Sequence, residues 1–279
     1  MKIIRSLAEL RETLSVRDKV RSLVPTMGYL HEGHASLIRD ARRESEQVCV
    51  NIFVNPLQFN NARDFETYPV SEDHDRAICE EAGADIVFVP TASEMLGAGP
   101  ALEMAMPALT KNLCGPFRPG HFEGVLLIVA KLFHLFLPHK AYFGKKDYQQ
   151  FRVIQRMVED LSFPIEIIGC ETIREADGLA MSSRNKNLKP EHREQAALMI
   201  RGFRIAEKAF NNGNANPADL AEIAQDVMLT GPDNRVEYTQ VVDPETLEVL
   251  QEIEGDFVIA AAMHCGEVRL IDNLLIRGE

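Results

Sequence analysis

Two histidines three residues apart lie in a glycine-containing segment, PTMGYLHEGH, at Pro25–His34. Gly28 and Gly33 let backbone approach a ligand closely, and His31 and His34 add donors beside the free N–H groups of the helix expected to begin here. This combination is typical of a phosphate-binding loop. A tight turn with two surface histidines is the structural alternative. A zinc site is less favoured, because the histidines lack the HExxH spacing.

Of two further segments, one carries uncharged amides and the other carries a guanidinium. FVNPLQF follows a strand-like run and supplies Asn55 and Gln58, which can bind hydroxyls and carboxylates without adding charge. GPFRPGHFEGV, at Gly115–Val125, supplies Arg118 and His121, and the guanidinium of Arg118 could clamp a phosphate or a carboxylate. Ordinary loop capping for the first segment and a surface turn for the second remain open.

The segment FGKKDYQQ, at Phe143–Gln150, offers three kinds of polar contact. Lys145 or Lys146 can neutralise phosphate charge, Asp147 can take ribose hydroxyls, and Gln150 can face the same crevice about one helical turn on. The alternative is a helix capped by Asp147 beside two solvated lysines.

The last candidate segment, READGLAMSSRN, spans Arg174–Asn185. Ser182, Ser183 and Arg184 form a small anion site that could close over a triphosphate. A flexible linker is the alternative.

Alternating strand and helix patterns carry these segments. Buried-strand runs with helical patterns between them predict a parallel sheet covered by helices on both faces, with ligands at the carboxyl ends of the strands. The predicted strands are Val20–Val24, Val48–Val54, Asp85–Val89, Ala141–Phe143 and Ile165–Ile168, and the predicted helices start at Leu7 and His34 or span Asp73–Glu81, Val125–Phe136 and Gln149–Leu161.

The pattern changes near Leu188. Two helices followed by strand-like runs predict a small α+β domain. We therefore expect a domain of residues 1–185 and a lid domain of residues 186–279, the latter containing helices Glu191–Phe210 and Pro217–Met228 and strands Val236–Val242, Phe257–Met263 and Val268–Leu270.

Composition excludes several classes of function. The 279 residues carry a formal net charge of -12, which argues against nucleic acid or an anionic membrane as a partner. No run approaches the roughly 18 apolar residues of a membrane span, and the amino-terminal residues do not read as a secretory signal. We expect a cytoplasmic protein. Its five scattered cysteines predict neither a disulfide framework nor a thiolate zinc site.

Taken in order, the five segments closely resemble the pantothenate synthetase family, part of the nucleotidyltransferase superfamily with HIGH and KMSKS-type signatures. The resemblance covers essentially the whole chain. It implies a Rossmann-like doubly wound sheet and the ATP- and Mg2+-dependent condensation of pantoate with β-alanine. Pantoyl adenylate would form with release of pyrophosphate, and AMP would leave in the second step. Family members are typically homodimers.

The resemblance also implies residue roles. His31 and His34 would contact the phosphates, with His34 as proton donor, while Lys146 and Arg184 would neutralise developing charge. Gln58 and Gln150 would hold pantoate, with Asn55 and Arg118 as further substrate residues. The nucleotide site would comprise Met27, Gly28, Tyr29, Leu30, His31, Glu32, Gly33, His34, Gly144, Lys145, Lys146, Asp147, Ile173, Met181, Ser182, Ser183 and Arg184.

The chain departs from the family pattern between the second and third segments. Asn60 stands where Gly is common, Arg63 where an acidic residue is common, and Val70 where Arg is common. His74 occupies a place where a carboxylate is often seen, which leaves Asp75 as the candidate magnesium contact. Altered loop behaviour around residues 60–65 is the expected consequence.

Three rival functions remain open. Another adenylyl- or cytidylyltransferase would share the HxGH loop but lack the glutamines for pantoate. A tyrosyl- or tryptophanyl-type synthetase would bind tRNA, which the net charge of -12 opposes. A nucleotide sensor would bind ATP without pantoate-dependent pyrophosphate release.

Overall fold

A computed structural model describes residues 1–278, which form two compact units. The first unit comprises residues 1–106, 118–145 and 150–171, and the second comprises residues 107–117, 146–149 and the chain from Thr172 onward. The short segment Lys146–Gln149 therefore belongs to the second unit, together with the chain from Thr172 onward. The predicted division at residues 185 and 186 stays a prediction.

The first unit is built on a six-stranded parallel sheet with the order β1-β4-β3-β2-β5-β6. Its strands are β1 (Lys2–Ile4), β2 (Arg21–Thr26), β3 (Gln47–Ile52), β4 (Ile86–Phe88), β5 (Lys140–Gly144) and β6 (Glu166–Cys170). Its central strands are almost wholly buried, as in a sheet covered on both faces. This confirms the predicted α/β fold.

Strand order brings the starts of three candidate segments to one edge of this sheet. After β2 the chain builds outward through β3 and β4, and then returns to place β5 on the other side of β2. The order reverses between β2 and β5, and such a switch point is where open α/β sheets bind ligands, at the carboxyl ends of the strands. The segments beginning at Pro25, Phe53 and Phe143 leave from adjacent strands at this edge.

Eleven α-helices lie within the described residues: α1 (Leu7–Thr13), α2 (Glu32–Glu44), α3 (Ala62–Glu66), α4 (Glu72–Ala82), α5 (Ala92–Leu96), α6 (Pro107–Thr110), α7 (His121–Phe136), α8 (Tyr148–Asp160), α9 (Arg193–Ala196), α10 (Leu198–Asn211) and α11 (Pro217–Leu229). Short 3-10 turns span Pro56–Gln58, Gly115–Phe117, Lys145–Asp147, Ser183–Asn187 and Pro190–His192. None of the helices in residues 1–278 is both long and apolar enough to cross a membrane.

Local sequence accounts for several helix ends. Ser6 caps α1 by accepting a hydrogen bond from the N–H of Glu9 at 3.2 Å, which agrees with the predicted helix start at Leu7. Asn216 caps α11 ahead of Pro217, where a missing N–H costs nothing. Gly83 ends α4 in the left-handed conformation at φ 93°.

The second unit contains a three-stranded antiparallel sheet in the order β7 (Asn234–Val242), β8 (Phe257–Cys265) and β9 (Val268–Ile276). Its core joins β8, which is buried over almost its whole length, to α10 and α11 through residues such as Phe203 and Leu220. This confirms the predicted α+β character of the carboxy-terminal part.

Several element predictions were incomplete, among them the strand predicted at Val268–Leu270, which extends to Ile276 as β9. β1 was missed because three residues are too few to show a pattern. The single helix predicted at Glu191–Phe210 is instead the Pro190–His192 turn, α9 and α10. α2 starts at Glu32, two residues before the predicted start, because His31 caps it.

Candidate active site

The segment after β2 is a sharply turned loop that leads into a capped helix. Gly28 has φ 87° and Tyr29 has φ 49°, so two consecutive residues adopt the left-handed conformation. His31 Nδ1 then accepts the N–H of Gly33 at 3.1 Å, and His34 Nδ1 accepts the N–H of His31 at 3.3 Å. The predicted histidines therefore form a reciprocal cap on α2, with ring centroids 4.1 Å apart.

Asp75 on α4 is hydrogen-bonded to the backbone of this loop. Its carboxylate accepts the N–H of Tyr29 at 2.9 Å and that of Leu30 at 2.6 Å, and the residue is 1% exposed. Burial raises the pKa of Asp75, and the two backbone donors act in the opposite direction. His74 Nε2 lies 2.9 Å from the carbonyl of Leu30. Two adjacent residues of α4 thus fix the backbone that precedes His31.

The glycine at position 28 is required by both conformation and space. A Cβ there would lie 3.0 Å from Asp75 Oδ2 and 3.1 Å from Ile52 Cγ2, in addition to the strain of its positive φ. The absence of a side chain at Gly28 therefore lets the backbone pack against Asp75 and Ile52, and the predicted close approach to a ligand stays a prediction.

The segment after β3 places Gln58 at the end of a 3-10 turn next to the first loop. Gln58 Nε2 lies 3.0 Å from the sulfur of Met27, and Gln58 Oε1 accepts a hydrogen bond from Asn55 Nδ2 at 3.0 Å. Asn55 is 1% exposed and also donates to the carbonyl of Gly124 at 3.0 Å. The amide of Asn55 therefore supports Gln58 and ties the turn to α7.

Arg118 and His121 brace the same turn from another direction. Arg118 donates to the carbonyl of Gln58 at 3.1 Å, and so does His121 Nδ1 at 2.8 Å. Because that His121 nitrogen is a donor, the other ring nitrogen accepts the second hydrogen bond of Arg118, at 3.1 Å. The sequence singled out His121 beside Arg118 in this segment but assigned it no role at the site.

The two lysines after β5 have different surroundings. Lys145 Nζ pairs with Glu171 at 2.5 Å, which neutralises part of its charge within the first unit. Lys146 belongs to the second unit, its side chain is 18% exposed, and its ammonium lies 3.8 Å from Asp147 Oδ1. The neighbouring Gln149 is buried and bonded to the backbone of Leu109, Asn112 and Cys114, whereas Gln150 is half-buried.

In the second unit, the fifth segment is an ordered hairpin rather than a loose linker. Arg174 and Ala180 form an antiparallel bridge, and the N–H of Met181 donates to the carbonyl of Ile173 at 3.0 Å. Ser182 Oγ then accepts the N–H of Arg184 at 3.3 Å and caps the turn Ser183–Asn187. The flexible-linker alternative is therefore wrong for these residues.

The residues that depart from the expected pattern lie on or beside short helices. Asn60 donates a hydrogen bond to the carbonyl of Pro119, Arg63 lies within α3, and Val70 is 72% exposed. None of the three interrupts the contacts made by Gln58.

This fold and these segments define a class: a nucleotide-binding α/β protein with its candidate site at the carboxyl edge of a parallel sheet. A family model described as pantoate-beta-alanine ligase matches residues 2–275. The pantothenate synthetase of Leptospira biflexa serovar Patoc is 44% identical over 277 residues, covering 98% of each chain. The chain therefore belongs to the pantoate-β-alanine ligase family, which confirms the predicted enzyme class.

Two solved structures agree with this assignment. Pantothenate synthetase from Thermus thermophilus superposes with a TM-score of 0.94 at 43% identity, covering 98% of this chain and 99% of that one. Pantoate-beta-alanine ligase from Francisella tularensis, in complex with beta-gamma ATP and beta-alanine, has a TM-score of 0.80 at 32% identity, covering 99% and 97%. The predicted fold of both parts of the chain is confirmed.

Proposed function

We propose that this chain condenses pantoate with β-alanine through a pantoyl-adenylate intermediate, with His31, His34, Lys146 and Arg184 acting on the phosphates. The observation that carries the proposal is the His31–His34 cap, which presents two imidazoles at the start of a helix beside the switch point of the sheet. Donors and a helix N-terminus suit an anionic phosphate. The Francisella relative is complexed with beta-gamma ATP and beta-alanine, which supports ATP and β-alanine as two of the substrates.

The chemistry requires positioning more than a nucleophilic side chain. A pantoate carboxylate oxygen attacks the α-phosphorus of ATP and pyrophosphate leaves; the β-alanine amine then attacks the acyl carbon and AMP leaves. The residues proposed for phosphate contact need only hold charge that develops at oxygen atoms. Gln58 and Gln150 are proposed to orient pantoate, with Asn55 and Arg118 supporting the turn that carries Gln58.

Magnesium is proposed to arrive with the nucleotide. Within residues 1–278 no group of three or more His, Cys, Asp or Glu side chains could hold a metal ion. These residues therefore do not fit a magnesium site made of protein ligands alone. Mg2+ commonly retains water and binds substrate phosphates. The predicted contact at Asp75 stays a prediction, and both its oxygens already accept backbone N–H groups.

Two features of the proposal concern the setting of the enzyme. We infer a homodimer in the cytoplasm, on the resemblance to the family. Size-exclusion chromatography with light scattering tests the dimer, and a mass near the 31.3 kDa of one chain would contradict it.

The test of the function is pantoate-dependent pyrophosphate release, with AMP appearing only when β-alanine is present. We expect His34→Ala to reduce the rate about 10²-fold or more, the usual scale for loss of a catalytic acid or charge donor. His134→Ala is the matched control, since His134 is an exposed histidine near the end of α7. Pyrophosphate release that does not depend on pantoate would refute the proposal.

A further inference from the structure

One residue of β9, Asn273, contacts the backbone of a proposed phosphate-binding lysine. Asn273 Nδ2 donates to the carbonyl of Lys146 at 2.8 Å, within the second unit. Asn273 is 8% exposed and its neighbour Asp272 is 5% exposed. A carbonyl held in this way fixes the point from which the Lys146 side chain extends.

Asp272 holds the other proposed phosphate-binding segment. Its two oxygens accept hydrogen bonds from Arg174 at 2.5 and 3.1 Å, and Arg174 also donates to the carbonyl of Gly178 at 3.1 Å. Arg174 and Gly178 belong to the hairpin that runs directly into Ser182–Arg184. The carboxylate therefore locks the base of the hairpin to β9.

The two anchors are connected within the strand. Asp272 Oδ1 also accepts the N–H of Asn273 at 2.8 Å, and Arg174 reaches the carbonyl of Asn273 at 3.3 Å. Both residues are in register with the fully buried part of β8, opposite Ala261 and Ala260. Strand β9 is thus hydrogen-bonded, through these two adjacent residues, to both the Lys146 segment and the hairpin.

We propose that Asp272 and Asn273 are positioning residues for adenylate formation, and the proposal rests on the function inferred above. Asn273 acts through Lys146, and Asp272 acts through Arg174 on the Ser182–Arg184 segment. Small displacements of a charge-stabilising group cost rate, because the developing negative charge meets its cation only in one geometry.

A double-mutant cycle on pantoate-dependent pyrophosphate release tests the Asn273 arm. Asn273→Ala should lower the rate about two- to tenfold, the range of one net hydrogen bond. In a Lys146→Ala background the same change should have no further effect, since the group being positioned is gone. Asp272→Asn combined with Arg184→Ala gives the equivalent cycle for the hairpin.

Asn234→Ala is the matched structural control. Asn234 is an asparagine in the same unit whose amide donates to two backbone carbonyls, those of Gln195 and Met228, at 3.0 and 2.9 Å. It should lower the thermal midpoint without lowering the rate of pyrophosphate release in either background.

An additive effect of Asn273→Ala and Lys146→Ala would overturn the proposal, and so would an unchanged rate in the Asn273 variant. If Asn273→Ala does not fold, Asn273→Ser keeps a polar group in the site but is too short to reach the carbonyl of Lys146. The underlying function fails separately: wild-type protein without pantoate-dependent release would refute that assignment before the cycle is measured.

Discussion

Gly124 on α7 lies against the turn that carries Gln58, and adding one methyl group there should displace the turn. A Cβ at this position would lie 2.6 Å from both the carbonyl carbon and the oxygen of Leu57, and 2.9 Å from the N–H nitrogen of Gln58. Ordinary contact begins at 3.4 Å, so the turn and α7 must separate by about 0.8 Å. Backbone atoms cannot rotate away as a flexible side chain can.

The expected change in the free energy of unfolding is the difference between two opposing effects. Overpacking costs about 1–3 kcal/mol, while Ala instead of Gly in a helix returns about 1 kcal/mol, so Gly124→Ala should lower the free energy of unfolding by roughly 0–2 kcal/mol. Activity should suffer more. Gln58 is braced by Arg118 and His121, and a shift near 1 Å in a positioning group can cost on the order of 10²-fold. We expect kcat/KM for pantoate to fall about 10- to 100-fold.

Steady-state kinetics of pyrophosphate release and urea unfolding measure these two effects on one variant. Gly255→Ala is the control, because its Cβ would meet nothing within 4 Å and its φ is not positive. Wild-type kcat/KM for pantoate in Gly124→Ala would show that the position of the Gln58 turn does not govern substrate binding.

Three further predictions concern stability and reactivity. Arg21 is 2% exposed and donates to the carbonyls of Phe136 and Val16, so Arg21→Lys should lower the free energy of unfolding by about 3 kcal/mol or more in urea titrations; a change below about 1 kcal/mol would contradict this. The hydrogen bond from Arg193 lowers the pKa of Asp177, so its contribution to stability is lost as pH falls through the lowered value, and Asp177→Asn should unfold with a shallower acid dependence below about pH 4. Burial raises the pKa of Cys49 to about 12 and all five thiols are buried, so a disulfide reagent at about pH 8 should label native protein only after urea is added.

Much of the fold could be predicted because several of the parallel strands lie in nearly continuous apolar runs. Val48–Val54 stands out since both faces of β3 are covered, and the same holds for the segment around Ala141. The short β1 and the break before α10 could not be seen. Pro190 opens a 3-10 turn ahead of α9, and Ala197 separates α9 from α10, local details that helical periodicity does not reveal.

The candidate site divides in the same way. The loop at residues 25–34 could be identified from the sequence because its glycines and histidines lie in one short segment. Asp272 and Asn273 were not, because their partners Arg174 and Lys146 lie about a hundred residues away, at separations of 98 and 127. Only folding brings such an anchor to the groups that it holds.

The reciprocal cap at the start of α2 determines the tautomers of both histidines. A ring nitrogen that accepts a backbone N–H carries no hydrogen, so the Nδ1 atoms of His31 and His34 are bare. In the uncharged rings the hydrogen therefore resides on Nε2, which makes that edge of each imidazole a donor for an anionic oxygen. The cap therefore uses the Nδ1 edge of both rings, which ties the orientation of the two imidazoles to the first turn of α2.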